Sequence, residues 1–189
     1  MSGKKYMHDA EIVMISLENA LGSIGGVTVG NEEVVDHQRL SGAGYCFSAS
    51  SPPFTASAAV QALAQLESRP ELLRRLNENK EYLYNKLTAM TGIVPDIMVV
   101  TSDKRSPIVF LELAHGDNEE PESFNLLNEV AHECLQDGVA IVSSGRHLLE
   151  NMHPTSPAIR LTVSAVHTKE DIDKCLTTLK AAVINAKGR

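Results

Sequence analysis

No apolar run in this sequence approaches the roughly eighteen residues that a membrane-spanning helix needs. The first residues, M-S-G-K-K-Y-M-H-D-A-E, lack the apolar core of a secretory signal. Three cysteines, Cys46, Cys134 and Cys175, form no C-x-x-C pair. Their odd number and wide spacing point to reduced thiols in a cytosol-facing protein. Basic residues are scattered apart from Arg74 and Arg75, and the net charge is −7, which leaves nucleic-acid binding without electrostatic support. The histidines do not share a helix face at i, i+4, so no zinc site is expected. There is no internal repeat and no low-complexity segment. One gap is local: no lysine occurs between Lys5 and Lys80.

What is present fits a globular protein. The 189 residues, 43% hydrophobic and 22% charged, suffice for one good-sized core or two small ones. The densest signal runs from Ser16 to Pro53. Glycines stand at 22, 25, 26 and 30, and again at 42 and 44. Glycine serves positive φ and close backbone approach. The residues alone therefore indicate a shaped loop around a bound group or a subunit contact.

The same stretch carries a family resemblance. E-N-A-L-G-S-I-G-G resembles the cofactor-lysine region of the α-oxoamine synthases, fold-type I enzymes that use pyridoxal phosphate. Their pattern is roughly T-x-S-K-A-x-G-x-x-G-G. Asn19 stands here at the lysine position, and an amide cannot form the Schiff base that a lysine amine forms. The run V-D-H-Q-R-L-S-G-A-G-Y-C-F-S-A-S-S-P-P narrows the likeness to the lysine-less, first long-chain-base subunits of eukaryotic serine palmitoyltransferase. Those subunits pair with a second subunit that has the lysine. They are much longer, with an N-terminal membrane segment and most of a large α/β domain ahead of this stretch. The resemblance thus implies a C-terminal portion of such a subunit: a fragment, a truncated product or a short form.

Along the chain, residues 11–16 read as a short buried strand and 27–29 as a second strand. Residues 32–40 read as a helix ended by Gly42, and Tyr45 to Ser48 as another strand. Pro52 and Pro53 open a helix over about 53–67, rich in small residues and expected to be buried. A second helix over about 70–90 carries the stripe Leu72, Leu76, Leu83, Leu87 and Met90 and should stop at Gly92. Residues 107–113 read as a strand and the acidic 115–122 as a solvated loop. Residues 123–136 form a helix with Leu127, Val130, Ala131 and Cys134 inward. Residues 139–142 read as a buried strand, 144–157 as a loop, and 158–165 as a strand with Ile159, Leu161 and Val163 on one face. Thr168 caps a last helix whose stripe is Ile172, Leu176, Leu179, Val183 and Ala186. The second half is therefore a small α+β domain, a short sheet with helices on one face. The resemblance makes the fold class α/β, the C-terminal part of a fold-type I pyridoxal-phosphate-dependent transferase. Residues 1–68 would end its large domain, with exposed strand edges, and residues 69–189 would be the small domain.

Candidate site residues follow. Ser48, Ser50 and Ser51 precede a helix N-terminus, where hydroxyls either cap the helix or hold an anion. The resemblance implies that Ser48 and Ser50 reach across a subunit interface to the partner's cofactor phosphate. Arg160 sits on the polar face of its strand, either in a surface ion pair or holding a carboxylate with two hydrogen bonds. The resemblance implies the amino-acid carboxylate, in a pocket that a lysine-less subunit can have left vestigial. His37 and Arg39 are read as shaping the interface loop. No catalytic residue and no metal ligand is assigned. The implied activity is the pyridoxal-phosphate-dependent condensation of L-serine with palmitoyl-CoA to 3-oxosphinganine, the first step of sphingolipid synthesis, with the cofactor as electron sink. The lysine comes from a catalytic partner subunit in a heterodimer at the cytosolic face of the endoplasmic reticulum membrane, and the chain alone is expected to be inactive. Two alternatives stay open: a non-enzymatic module that binds the catalytic subunit, and a free-standing α-oxoamine synthase, against which Asn19 argues.

Overall fold

The structure, a computed structural model, describes residues 10–93, 98–100, 102–113, 121–144 and 157–187. The chain divides into two compact units, 1–70 and 71–189.

In the first unit, β1 (Ile12–Ser16) and β2 (Gly26–Gly30) form an antiparallel hairpin in which Met14 faces Thr28. Helix α1 (Glu32–Ser41) follows, with Glu32 and Glu33 in its first turn and Arg39 in its last, each favourable to the helix dipole. Tyr45 to Ser48 is not a strand. The Gly42 carbonyl accepts the N–H groups of Tyr45 and Cys46, each at 3.0 Å, and closes a short helix, α2 (Ala43–Phe47). A short apolar run has no period long enough to separate the two states. Helix α3 (Pro53–Ser68) starts at the proline pair as expected. The expected burial of β1 and α3 is overturned. Every β1 residue is exposed, and α3 buries only Thr55 and Ala59, because the described residues of this unit supply no second layer over either element.

The second unit opens with α4 (Glu71–Ile93), which runs one residue past Gly92. Its sheet has strand order β3-β4-β6-β5, all antiparallel. The strands are β3 (Met98–Val100), β4 (Ile108–Leu113), β5 (Val142–Ser143) and β6 (Ala158–Thr162). The sequence reading had no strand at β3. The expected strand at 139–142 shrinks to an edge pair with Val142 exposed, and the strand at 158–165 ends at Thr162. Helices α5 (Pro121–Gln136) and α6 (Lys169–Lys187) complete the unit. Alternation puts Val109, Leu111, Leu113, Ile159, Leu161 and Val163 on the covered face, where they join Leu83 and Leu87 of α4, Leu127 and Val130 of α5, and Leu176 and Leu179 of α6 in one core. Ile108, Phe110, Arg160 and Thr162 lie on the exposed face. The loops expected at 115–122 and 144–157 lie mostly outside the described residues; Pro121 and Glu122 belong to α5 and Pro157 is buried.

Polar ties fix the helices. The buried Asn79 amide on α4 donates to the carbonyls of Ser164, at 3.0 Å, and His167, at 2.7 Å. The Tyr82 hydroxyl donates to both Asp173 carboxylate oxygens, at 2.9 and 2.8 Å, and Lys86 pairs with the same carboxylate at 3.3 Å. Thr168 and Asp171 cap α6 reciprocally. Asp171 Oδ2 accepts the Thr168 N–H and hydroxyl, each at 2.9 Å, while the Asp171 N–H donates to Thr168 Oγ1 at 3.1 Å.

Candidate functional site

The loop between β1 and β2 is held by its own backbone. The Leu17 N–H donates to Gly25 at 2.9 Å, Ser23 to Leu17 at 2.8 Å and Gly22 to Glu18 at 3.0 Å. Asn19 lies exposed on the turn so formed and has no hydrogen-bond partner among the described residues. The next residue, Ala20, is held at φ 69°, which costs a residue with a Cβ about 1–2 kcal/mol. Gly25, at φ 94°, faces the segment ahead of α3: a Cβ built there would come 3.1 Å from Ser51 Oγ. The buried Ser23 hydroxyl donates to the Thr55 carbonyl at 2.7 Å. These two contacts bring the Asn19 loop onto the start of α3, which the serine segment leads into.

That segment does not cap the helix. The N-cap position is Pro52, without a side-chain cap hydrogen bond, and Ser48 and Ser50 are exposed with no partner among the described residues. The helix end itself offers few donors. Proline at 52 and 53 removes two N–H groups, and the Thr55 N–H donates to the Pro52 carbonyl at 3.0 Å. An anion here would rely on the hydroxyls more than on the helix terminus. His37 and Arg39 stay local to α1: the ring lies 3.0 Å from Ser41 Oγ, and Arg39 pairs with Asp36 at 3.2 Å.

In the second unit Arg160 lies on β6, paired with Phe110 of β4 and Val142 of β5. It is exposed and has no ion-pair partner among the described residues. Arg160 borders an open cavity of about 550 Å³, together with residues 138–142, Thr162, His167, Asp171 and Lys174. The Thr168 N–H and hydroxyl hold the Asp171 carboxyl below its usual range. The sequence reading missed Lys174 and His167; the V-H-T run held the histidine, but only the turn after β6 shows that it joins the cavity.

All three thiols are free, with Cys46 exposed and Cys134 buried. Burial, with lesser contributions from Cys175, Asp137 and Glu133, pushes Cys134 up to about 11, and burial raises Cys175 too, so both behave as packing groups. No three His, Cys, Asp or Glu side chains gather as a metal site among the described residues, and no described helix is long and apolar enough to cross a membrane.

The donor set fits pyridoxal phosphate in part. The free Ser48 and Ser50 hydroxyls suit its phosphate. The Asn19 amide cannot take its aldehyde, and no lysine between Lys5 and Lys80 replaces it.

Residues 4–179 match the family model "Aminotransferase class I and II". The chain is 36% identical over 171 residues to "Long chain base biosynthesis protein 1" of Arabidopsis thaliana, covering 90% of this chain and 34% of that protein. It is 32% identical over 173 residues to "Serine palmitoyltransferase 1" of Dictyostelium discoideum, covering 90% and 36%. A solved lysine-to-alanine variant of serine palmitoyltransferase from S. paucimobilis, itself with bound PLP-myriocin aldimine, superposes with a TM-score of 0.75 at 23% identity over 95% of this chain and 41% of that one. The fold is therefore the fold-type I α/β architecture of the pyridoxal-phosphate-dependent enzymes, in part. The chain spans about a third of the length of the curated relatives it matches.

Proposed function

We propose, from the premise that the chain belongs to the class I and II aminotransferase family, that it is a portion of the lysine-less subunit of serine palmitoyltransferase. It supports a lysine-bearing partner in condensing L-serine with palmitoyl-CoA to 3-oxosphinganine. The observation that supports this reading is the self-bonded turn that carries Asn19, the residue that the family resemblance sets at the lysine position. The loop is held by its own backbone although it carries an amide and no anchoring amine, as expected of a subunit that completes another's site.

When bound to the partner, pyridoxal phosphate supplies the electron sink. This chain's residues do the rest of its share. Ser48 and Ser50 donate hydroxyls to the phosphate across the interface. The Asn19 loop and the start of α3, tied through Ser23 and Thr55, hold that serine segment in place. Arg160 orients the carboxylate of the amino acid with paired hydrogen bonds. Residues 1–68 act as the end of the large domain and 69–189 as the small domain. The working place is the cytosolic face of the endoplasmic reticulum membrane, in a heterodimer, a setting taken from the long-chain-base family the chain resembles.

The test is co-purification of the full chain with a lysine-bearing long-chain-base subunit, followed by assay of CoA release from L-serine and palmitoyl-CoA. Binding with increased release supports the reading. Release by the isolated chain would overturn it. A second reading, a non-enzymatic module that binds the catalytic subunit, is favoured by the apolar surface that the first unit leaves exposed. Binding without any gain in release would select it.

A further inference from the structure

The cavity in the second unit exists because β5 is short. β5 meets β6 only at Val142↔Arg160 and Ser143↔Ile159. The Val163 N–H turns to Pro107, on the β4 side, at 3.0 Å. Backbone groups alternate along an antiparallel strand, so the Thr162 N–H and carbonyl turn toward the side that β5 leaves open. The resulting space, about 550 Å³, is floored by Leu83 and Ile172 and is of the size that takes a small molecule.

Its charge runs against that of the chain. The whole sequence carries −7, yet Arg160 and Lys174 border the cavity and neither has an ion-pair partner among the described residues. The one carboxylate in the described lining, Asp171, is engaged first by Thr168 at the start of α6, with a smaller electrostatic pull from His167 and Lys174.

His167 adds a donor of fixed orientation. The Ser164 N–H donates to His167 Nδ1 at 3.2 Å. Nδ1 must then present its lone pair, and the neutral ring carries its proton on Nε2. Asn79 pins the same turn to α4 by donating to the carbonyls of Ser164 and His167. The ring therefore does not have to be ordered when a ligand arrives, which removes part of the cost of binding.

We propose that His167 is a binding residue of this cavity, its Nε2–H joining Arg160 and Lys174 in a donor set for a small carboxylate. The proposal rests on the reading of Arg160 as a carboxylate site and extends it to two groups from the β6–α6 turn and α6. The chemistry suits a ligand with one carboxylate and a short body, since Arg160, Lys174 and His167 border the same cavity as the apolar Leu83, Val139 and Ile172.

The test uses the full chain labelled with ¹⁵N, titrated with acetate and with L-serine while the His167 ring nitrogens and the Ser164 amide are followed. The wild type should show the Nε2–H tautomer and bind both probes in the millimolar range. His167→Asn places an amide oxygen where Nδ1 lies, so the Ser164 amide should stay protected, while loss of Nε2–H weakens carboxylate binding about tenfold, the worth of one charge-assisted hydrogen bond. Arg160→Ala should weaken binding at least as much. The proposal is overturned by the Nδ1–H tautomer, by equal binding in wild type and His167→Asn with Ser164 still protected, by binding indifferent to Arg160→Ala, or by no response to either probe. Partner binding is read separately by co-purification, so failure here and failure of the subunit reading are told apart.

Discussion

In the unit from 71 to 189, Leu87, Val109, Leu111, Ile159 and Leu179 are wholly shielded from water. In the unit from 10 to 70, Met14 is 81% exposed and Phe47 90% exposed. Both units form regular elements, so local propensity does not separate them. What separates them is a second layer. The four-stranded sheet lays one apolar face against α4, α5 and α6. The hairpin β1–β2 carries Val13, Ile15, Val27 and Val29 with nothing described over them. Strands apolar on both faces belong inside a sheet that is covered on both sides. The first unit is built for surroundings that the described residues do not supply, and the second is complete in its own core.

Four substitution sets would break or sharpen that contrast. The largest effect is expected at Leu111→Ala, where a fully buried side chain leaves a cavity and costs about 3 kcal/mol of stability. Leu63→Ala on α3 should stay within about 0.5 kcal/mol. Urea unfolding of the two variants checks this, and equal losses would show that α3 is covered after all. In the presence of the lysine-bearing subunit the order should invert for binding: Phe47→Ala should reduce co-purification while leaving the unfolding midpoint of the lone chain unchanged.

Next is Asn79→Ala, which strips the shared donor from two carbonyls and should cost about 2 kcal/mol, read from the urea midpoint. A smaller effect depends on pH. Thr168 holds the Asp171 carboxyl low in the folded chain. Its stabilising contribution is present above the ordinary carboxylate pKa and is lost as pH falls through the lowered folded value. The stability gap between wild type and Asp171→Asn should therefore be open at neutral pH and close in acid. A gap that widened in acid would contradict the capping geometry. The smallest effect is a gain: Ala20→Gly relieves the positive φ but frees the unfolded chain, leaving about 0.5 kcal/mol of net stabilisation.

The same contrast explains what the sequence disclosed. Periodic stripes long enough to count, such as Leu76, Leu83 and Leu87 on α4 or Ile172, Leu176 and Leu179 on α6, named both the helices and their buried faces. The alternation Ile159, Leu161, Val163 named the covered face of β6. Short segments failed. Tyr45 to Phe47 carries as much strand character as helix character, and the Gly42 carbonyl decided it. Burial failed in the first unit because apolar composition says a residue seeks cover, not that the cover is there. The family likeness pointed to Asn19, Ser48, Ser50 and Arg160 as candidates. It did not point to His167 or Lys174, which the lining of the cavity beside Arg160 adds; the turn that carries His167 is pinned by Asn79, whose side chain joins residues 85 and 88 positions away.

That join also bears on how the chain is made. The strand at the heart of the second sheet, β6, comes after both of its neighbours in sequence, and β5 has no other strand to pair with among the described residues. A nascent chain on a ribosome must therefore hold α4, β4 and α5 with their apolar faces open until β6 emerges. At translation rates of about 5–20 residues per second, the wait from β5 to the turn that receives Asn79 is on the order of seconds. Chaperones have that interval to act, and a stall within it would leave an aggregation-prone intermediate.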